Sequence, residues 1–194
     1  MLRAVVVALA LAAAGCSSYS GKARDFSPAR LSSEPGWLAL RGVPFERQLE
    51  EADCGAAAIA MVIAYWTGGQ PRAIAGALRP APERGIAAGR MRDLARGRGL
   101  AAFIVRGKMA DLEREVAAGR PVVVGLVKPH GKRVLTHYEV VVGLHRGRKL
   151  VVTLDPARGW RENAVDAFLQ EWAPSKRLAL VVSAKDPHPP TKSP

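Results

Sequence analysis

The sequence predicts an α+β domain, with helices first and a run of antiparallel strands after them. Three observations carry this. The segment CGAAAIAMVIAY at 54–65 is apolar on almost every side, as expected of a helix enclosed by its neighbours. Three β-rich runs, PVVVGLV at 121–127, HYEVVVGLH at 137–145 and KLVVTLD at 149–155, follow in quick succession, leaving no room for the crossovers that parallel strands need. The Arg146-Gly147-Arg148 turn between the last two implies a hairpin.

The remaining elements follow in chain order. Asp53 is the expected N-cap of the buried helix, and Gly68, Gly69 and Pro71 supply its stop. Residues 71–78 and 89–99 read as two short helices that turn Ile74, Leu78, Met91 and Leu94 inward. AAFIV at 101–105 reads as a strand, and 108–121 as an amphipathic helix stopped by Gly119 and Pro121. VDAFLQEW at 165–172 is a short helix and RLALVVS at 177–183 a last strand. Helices grouped ahead of strands, without regular alternation, exclude a βαβ architecture.

The ends are different in kind. Arg3, the apolar stretch Ala4 to Ala14 and small residues before Cys16 read as a secretory signal over 1–15. The stretch is well short of the roughly 20 residues a membrane-spanning helix needs. The cysteine placed just after small residues resembles a bacterial lipoprotein processing site, with Cys16 as the lipidated residue. Ala13 departs from that pattern, which more often has leucine there. Ser17 and Ser18 resemble the sorting positions of lipoproteins sent to an outer membrane facing the periplasm. Residues 16–36 read as a flexible tether, 37–185 as the folded domain, and 186–194 as a proline-rich disordered tail.

The net charge of +12 comes from 29 basic residues against 17 acidic ones. The positives are scattered and no aromatic-interleaved basic stripe occurs, so nucleic acid is not the expected partner. Anionic lipid near the anchor suits the charge better. With Cys16 lipidated, Cys54 is the single remaining thiol. It has no disulfide partner and no second cysteine for a metal pair, so neither a metal nor another cofactor is expected.

Cys54 stands on the first turn of the buried helix, where backbone N–H groups and the helix dipole favour a thiolate. The alternative is a small buried core residue, but a core cysteine had ten further apolar positions available. Gly55 would leave room for a substrate backbone near the sulfur. A cysteine nucleophile needs a base, and the base an orienting group. His137 begins one strand of the hairpin and Asp155 ends the other, so both fall at one end of the sheet. Taken singly, His137 could be a solvated edge residue and Asp155 a turn former before Pro156.

The blocks QLEEADCGAAAIAMVIAYW (48–66), THYEVVVGL (136–144) and VTLDPARGW (152–160) resemble the three motif blocks of the bacteriocin-processing double-glycine cysteine peptidases. The resemblance to this papain-like family runs from about Val43 to Ser183. It implies a papain-like fold with the nucleophile helix packed on an antiparallel sheet. It further implies Cys54 as nucleophile, His137 as general base and acid, Asp155 as orienting carboxylate and Gln48 as oxyanion-hole donor. The expected substrate is a peptide or protein cut after a Gly-Gly or Gly-Ala type site. The best-known family setting is a cytoplasmic domain ahead of an ATP-driven exporter, whereas the expectation here is a stand-alone exported lipoprotein. Two other readings stay open: a papain-like peptidoglycan endopeptidase, although such enzymes usually follow the cysteine with serine and glycine, and a non-catalytic peptide-binding or assembly module.

Overall fold

The structure, a computed structural model, describes residues 21–80, 85–130 and 133–185. The expected signal peptide, Cys16 and the tail at 186–194 lie outside the described residues. Near the N-terminus come β1 (Arg24–Asp25), α1 (Arg30–Ser33) and β2 (Trp37–Ala39). A 3-10 turn (Glu51–Asp53) leads into α2 (Cys54–Thr67), followed by α3 (Pro71–Ala75) and α4 (Ala88–Gly97). Then come β3 (Ala101–Arg106), α5 (Met109–Ala117), β4 (Val122–His130), β5 (Arg133–His145), β6 (Leu150–Asp155) and β7 (Gly159–Ala164). The chain closes with α6 (Val165–Trp172) and β8 (Leu178–Ser183).

All strand pairings among the described residues are antiparallel, in the order β1-β7-β6-β5-β4-β8-β3, with β2 also on β5. The α+β expectation and the β5–β6 hairpin therefore hold. Successive residues Val122, Val123 and Val124 are all fully buried, so β4 is covered on both faces. Helices α2, α5 and α6 supply that cover.

Helix α2 is buried from Cys54 to Ala64, as an all-round apolar helix must be. Gly68 ends it with φ +69°, its N–H donating to the Ala64 carbonyl at 2.8 Å, a left-handed closure that glycine adopts without cost. Asp53 does not cap α2 as expected. Its Oδ2 instead accepts from the Glu50 N–H at 3.1 Å, because the 3-10 turn extends the helical path upstream and takes Asp53 inside it.

Residues 24–36 correct the expected tether. β1 pairs with β7, Arg24 opposite Glu162, and the Phe26 N–H donates to the Trp160 carbonyl at 3.1 Å. Phe26 is 5% exposed, edge-on to Trp37 at 5.3 Å, while Arg30 binds Glu162 at 2.8 Å. One buried phenylalanine contributes about 1.5–3 kcal/mol, enough to fix an otherwise polar segment on a strand with a free edge. β5 also begins four residues earlier than expected. His137 is thus interior to the strand, opposite Leu126.

Candidate active site

Cys54 opens α2 and is 4% exposed; it is the one free cysteine among the described residues. The loop before it is tied to the loop after β6. The Gln48 N–H donates to the Pro156 carbonyl at 3.1 Å, and Arg47 donates to the Ala157 carbonyl at 2.8 Å. These bonds bring the start of a helix and the end of a strand, 101 positions apart in chain numbering, into one place.

Register does the rest. Val140 lies opposite Leu154, so Asp155 falls beside Glu139, and His137, two residues back, shares that face. His137 Nε2 and Asp155 Oδ1 are 2.7 Å apart, both side chains fully buried. Asp155 Oδ1 also accepts the Ala157 N–H at 2.8 Å, the self-turn typical of aspartate. Asp155 is therefore a turn former and a histidine partner at once. On its other side His137 interacts with Cys54, which brings the three groups together.

Burial by itself would lower the His137 pKa, but hydrogen bonds to Asp155 and Cys54 and their charges outweigh it, pushing the imidazole up to about 10. For Asp155 burial acts upward, and the His137 bond, the charges of His137 and Lys128 and the Ala157 N–H overcome it, holding the carboxyl at about 2. The imidazolium and the carboxylate are thus both the resting forms at neutral pH.

A second buried cluster adjoins these three groups. Glu139 Oε1 lies 4.0 Å from His137 Nε2; it also bonds the Lys128 ammonium, and Glu139 Oε2 accepts the Thr153 hydroxyl at 2.6 Å. Polar atoms of His137, Glu139 and Asp155 lie within 4.8 Å of one another, but Lys128 already supplies a cation to that carboxylate. The sequence reading missed these residues. One signal was available: Glu139 stands two positions after His137, hence on the same face of a strand.

One expectation needs correction. Gly55 does not open a substrate cleft. A Cβ there would lie 3.2 Å from both Ile86 Cβ and Met91 Sδ and 3.3 Å from Tyr138, so its small size serves inward packing of α2. Gln48 lies near Cys54, and its amide donates at rest to the carbonyls of Glu50 at 3.0 Å and Glu51 at 3.3 Å. The other described histidine side chain, His145, stacks edge-on with Trp37 at 5.0 Å and is structural.

A sequence profile of the Peptidase_C39 like family matches residues 40–180. The chain belongs to that family. It is a cysteine peptidase of the C39-like kind. Among solved structures, a double glycine motif protease from an AMS/PCAT transporter, in complex with the leader peptide, is 23% identical with a TM-score of 0.60. The match covers 76% of this chain and 95% of that one. The peptidase domain of Streptococcus ComA, a bi-functional ABC transporter of a quorum sensing pathway, is 23% identical with a TM-score of 0.61, over 74% and 100% of the two chains. A Bacillus anthracis protein described as C39-like is 18% identical with a TM-score of 0.60, over 77% and 98%. These likenesses establish the fold shared by this C39-like peptidase. No curated protein matches it.

Proposed function

We propose that the chain cleaves peptide bonds by thiolate attack, with Cys54 as nucleophile, His137 as acid and base, and Asp155 as the group that fixes the imidazole. The observation that carries this is the buried row Cys54–His137–Asp155, with His137 Nε2 2.7 Å from Asp155 Oδ1. In this reading the sulfur adds to the peptide carbonyl and the C–N bond breaks as His137 protonates the leaving amine. Water, deprotonated by His137, then releases the acyl group from the thioester. The Cys54 backbone N–H, at the head of α2, is one donor for the oxyanion. Gln48 becomes the second by exchanging its 3.3 Å bond to Glu51, and each such donor contributes about 3–4 kcal/mol to the transition state.

The proposed substrate is a peptide with a Gly-Gly or Gly-Ala type site. The support is the fold shared with a double glycine motif protease that holds a leader peptide, since Gly55 offers no geometric reason for glycine preference. We also propose that the chain is a lipoprotein anchored through Cys16, outside the described residues, and faces the periplasm from the outer membrane. No helix among the described residues is long and apolar enough to cross a membrane.

The test uses a synthetic peptide containing Gly-Gly and the Cys54→Ala variant. Cleavage should vanish with Cys54→Ala while the fold and melting temperature hold, the side chain being small. Equal cleavage by the variant would overturn the mechanism. Release of radiolabelled lipid-modified chain with the membrane fraction of cells, lost with Cys16→Ala, tests the anchor.

A further inference from the structure

The row just described has an unused carboxylate beside it. Glu139 Oε1 lies 4.0 Å from the same His137 nitrogen that Asp155 binds at 2.7 Å. Two carboxylates therefore stand within reach of one N–H, and both are buried, at 1% exposure each. Something must decide between them.

We propose that Lys128 and Thr153 are positioning residues that hold the Glu139 carboxylate off His137, so that the imidazole Nε2–H is given to Asp155 alone. This rests on the catalytic reading above. Each oxygen of Glu139 is occupied: Oε1 by the Lys128 ammonium and Oε2 by the Thr153 hydroxyl at 2.6 Å. Lys128 is itself 2% exposed and cannot leave for water. A second carboxylate keeps it in place, since Glu171 Oε2 lies 3.9 Å from its ammonium. Glu171 is fixed in turn by the Lys22 N–H at 2.6 Å and by Asn163 at 3.2 Å. Residue 21 closes the cluster from outside: a Cβ there would lie 2.8 Å from Lys128 Cδ, so a larger residue would have to displace the lysine stem.

A buried ion pair of this sort gives little net stability against an apolar replacement, which leaves its presence beside the histidine to be explained by what it does there. Removing the restraint would let Glu139 share the imidazole N–H. The ring would turn from Cys54, and two negative partners would make the imidazolium too weak an acid to protonate the leaving amine. The groups that face this site are Asp155 from β6, Glu139 on β5, Lys128 from β4, Cys54 from α2, and Glu171 from α6 behind Lys128. Tyr138, adjacent in β5, borders Cys54.

The test is the midpoint of the His137 side-chain titration, read by proton–nitrogen NMR on the full chain, with cleavage of a Gly-Gly peptide measured in parallel. Glu139→Gln keeps an acceptor for Lys128 and reverses the Thr153 bond, the amide N–H donating to the hydroxyl, while removing the charge; it should lower the His137 midpoint by about one unit. Lys128→Met should raise the midpoint by a similar amount and reduce kcat roughly tenfold or more. Glu139→Gln added to Lys128→Met should return both toward wild type. Where Lys128→Met does not fold, Thr153→Val replaces it, with the same direction and the same rescue. Midpoints that coincide in all variants, or a kcat loss that Glu139→Gln leaves unrelieved, would overturn the inference. Unchanged cleavage by Cys54→Ala would instead overturn the catalytic reading, so the two failures are distinguishable.

Discussion

Replacing Asp155 by asparagine isolates charge from shape. The amide oxygen still reaches the His137 Nε2–H and the Ala157 N–H, at 2.7 and 2.8 Å in the parent, so the row should keep its geometry. What disappears is an anion held at about 2 against an ordinary 3.8. At roughly 1.4 kcal/mol per unit, that difference is about 2–3 kcal/mol of folding stability. The signs follow from linkage. The depressed Asp155 contributes stability above pH 3.8 that is lost as the pH falls through 2. The raised His137 contributes stability below pH 6.5 that is lost as the pH rises through about 10. The wild-type minus Asp155→Asn stability difference should therefore be greatest between pH 4 and 6.5, about 2–3 kcal/mol, and shrink on both sides. Denaturant unfolding followed by tryptophan fluorescence from pH 2 to 10 measures it. A difference curve that is flat across this range would show that the carboxylate and imidazolium are not paired in the folded state, and would refute the electrostatic account of the site.

Gly55→Ala should destabilise by about 1–3 kcal/mol through overpacking against Ile86 and Met91, with KM for a Gly-Gly peptide unchanged; a large KM effect at constant stability would restore the cleft role. Phe26→Ala should cost about 3–5 kcal/mol in chemical denaturation, whereas an unchanged melting temperature would return residues 24–36 to the status of a linker. Gln48→Ala should lower kcat by roughly 10²–10³-fold with little change in KM, and a KM-only effect would remove it from the oxyanion hole.

Much of the architecture could be read without coordinates because its signals are local. A helix apolar on all sides has to be enclosed, and α2 is. A three-residue turn between two β-rich runs has to close a hairpin, and the β5–β6 pair follows. The placing of His137 and Asp155 at one end of that hairpin needed only antiparallel register, and the 2.7 Å contact agrees with it. The failures have a shared character. GWRENA at 159–164 looks polar and became β7, since its charged residues are answered by Arg30 and the N-terminal segment. Gly55 looked like clearance for a ligand and proved to be clearance for Met91 and Ile86. Lys128, one residue past the run expected as a strand at 121–127, lies buried against Glu139.

By itself, then, the sequence determined the class of fold, the buried helix that Cys54 opens and the order of thiol, imidazole and carboxylate along the chain, since periodicity and turn chemistry act between near neighbours. Only the tertiary structure decided that residues 24–36 join the sheet, which way Gly55 faces and which of two carboxylates receives the His137 N–H. Those outcomes depend on groups far apart in the chain, whose charges and volumes meet only after the backbone has closed.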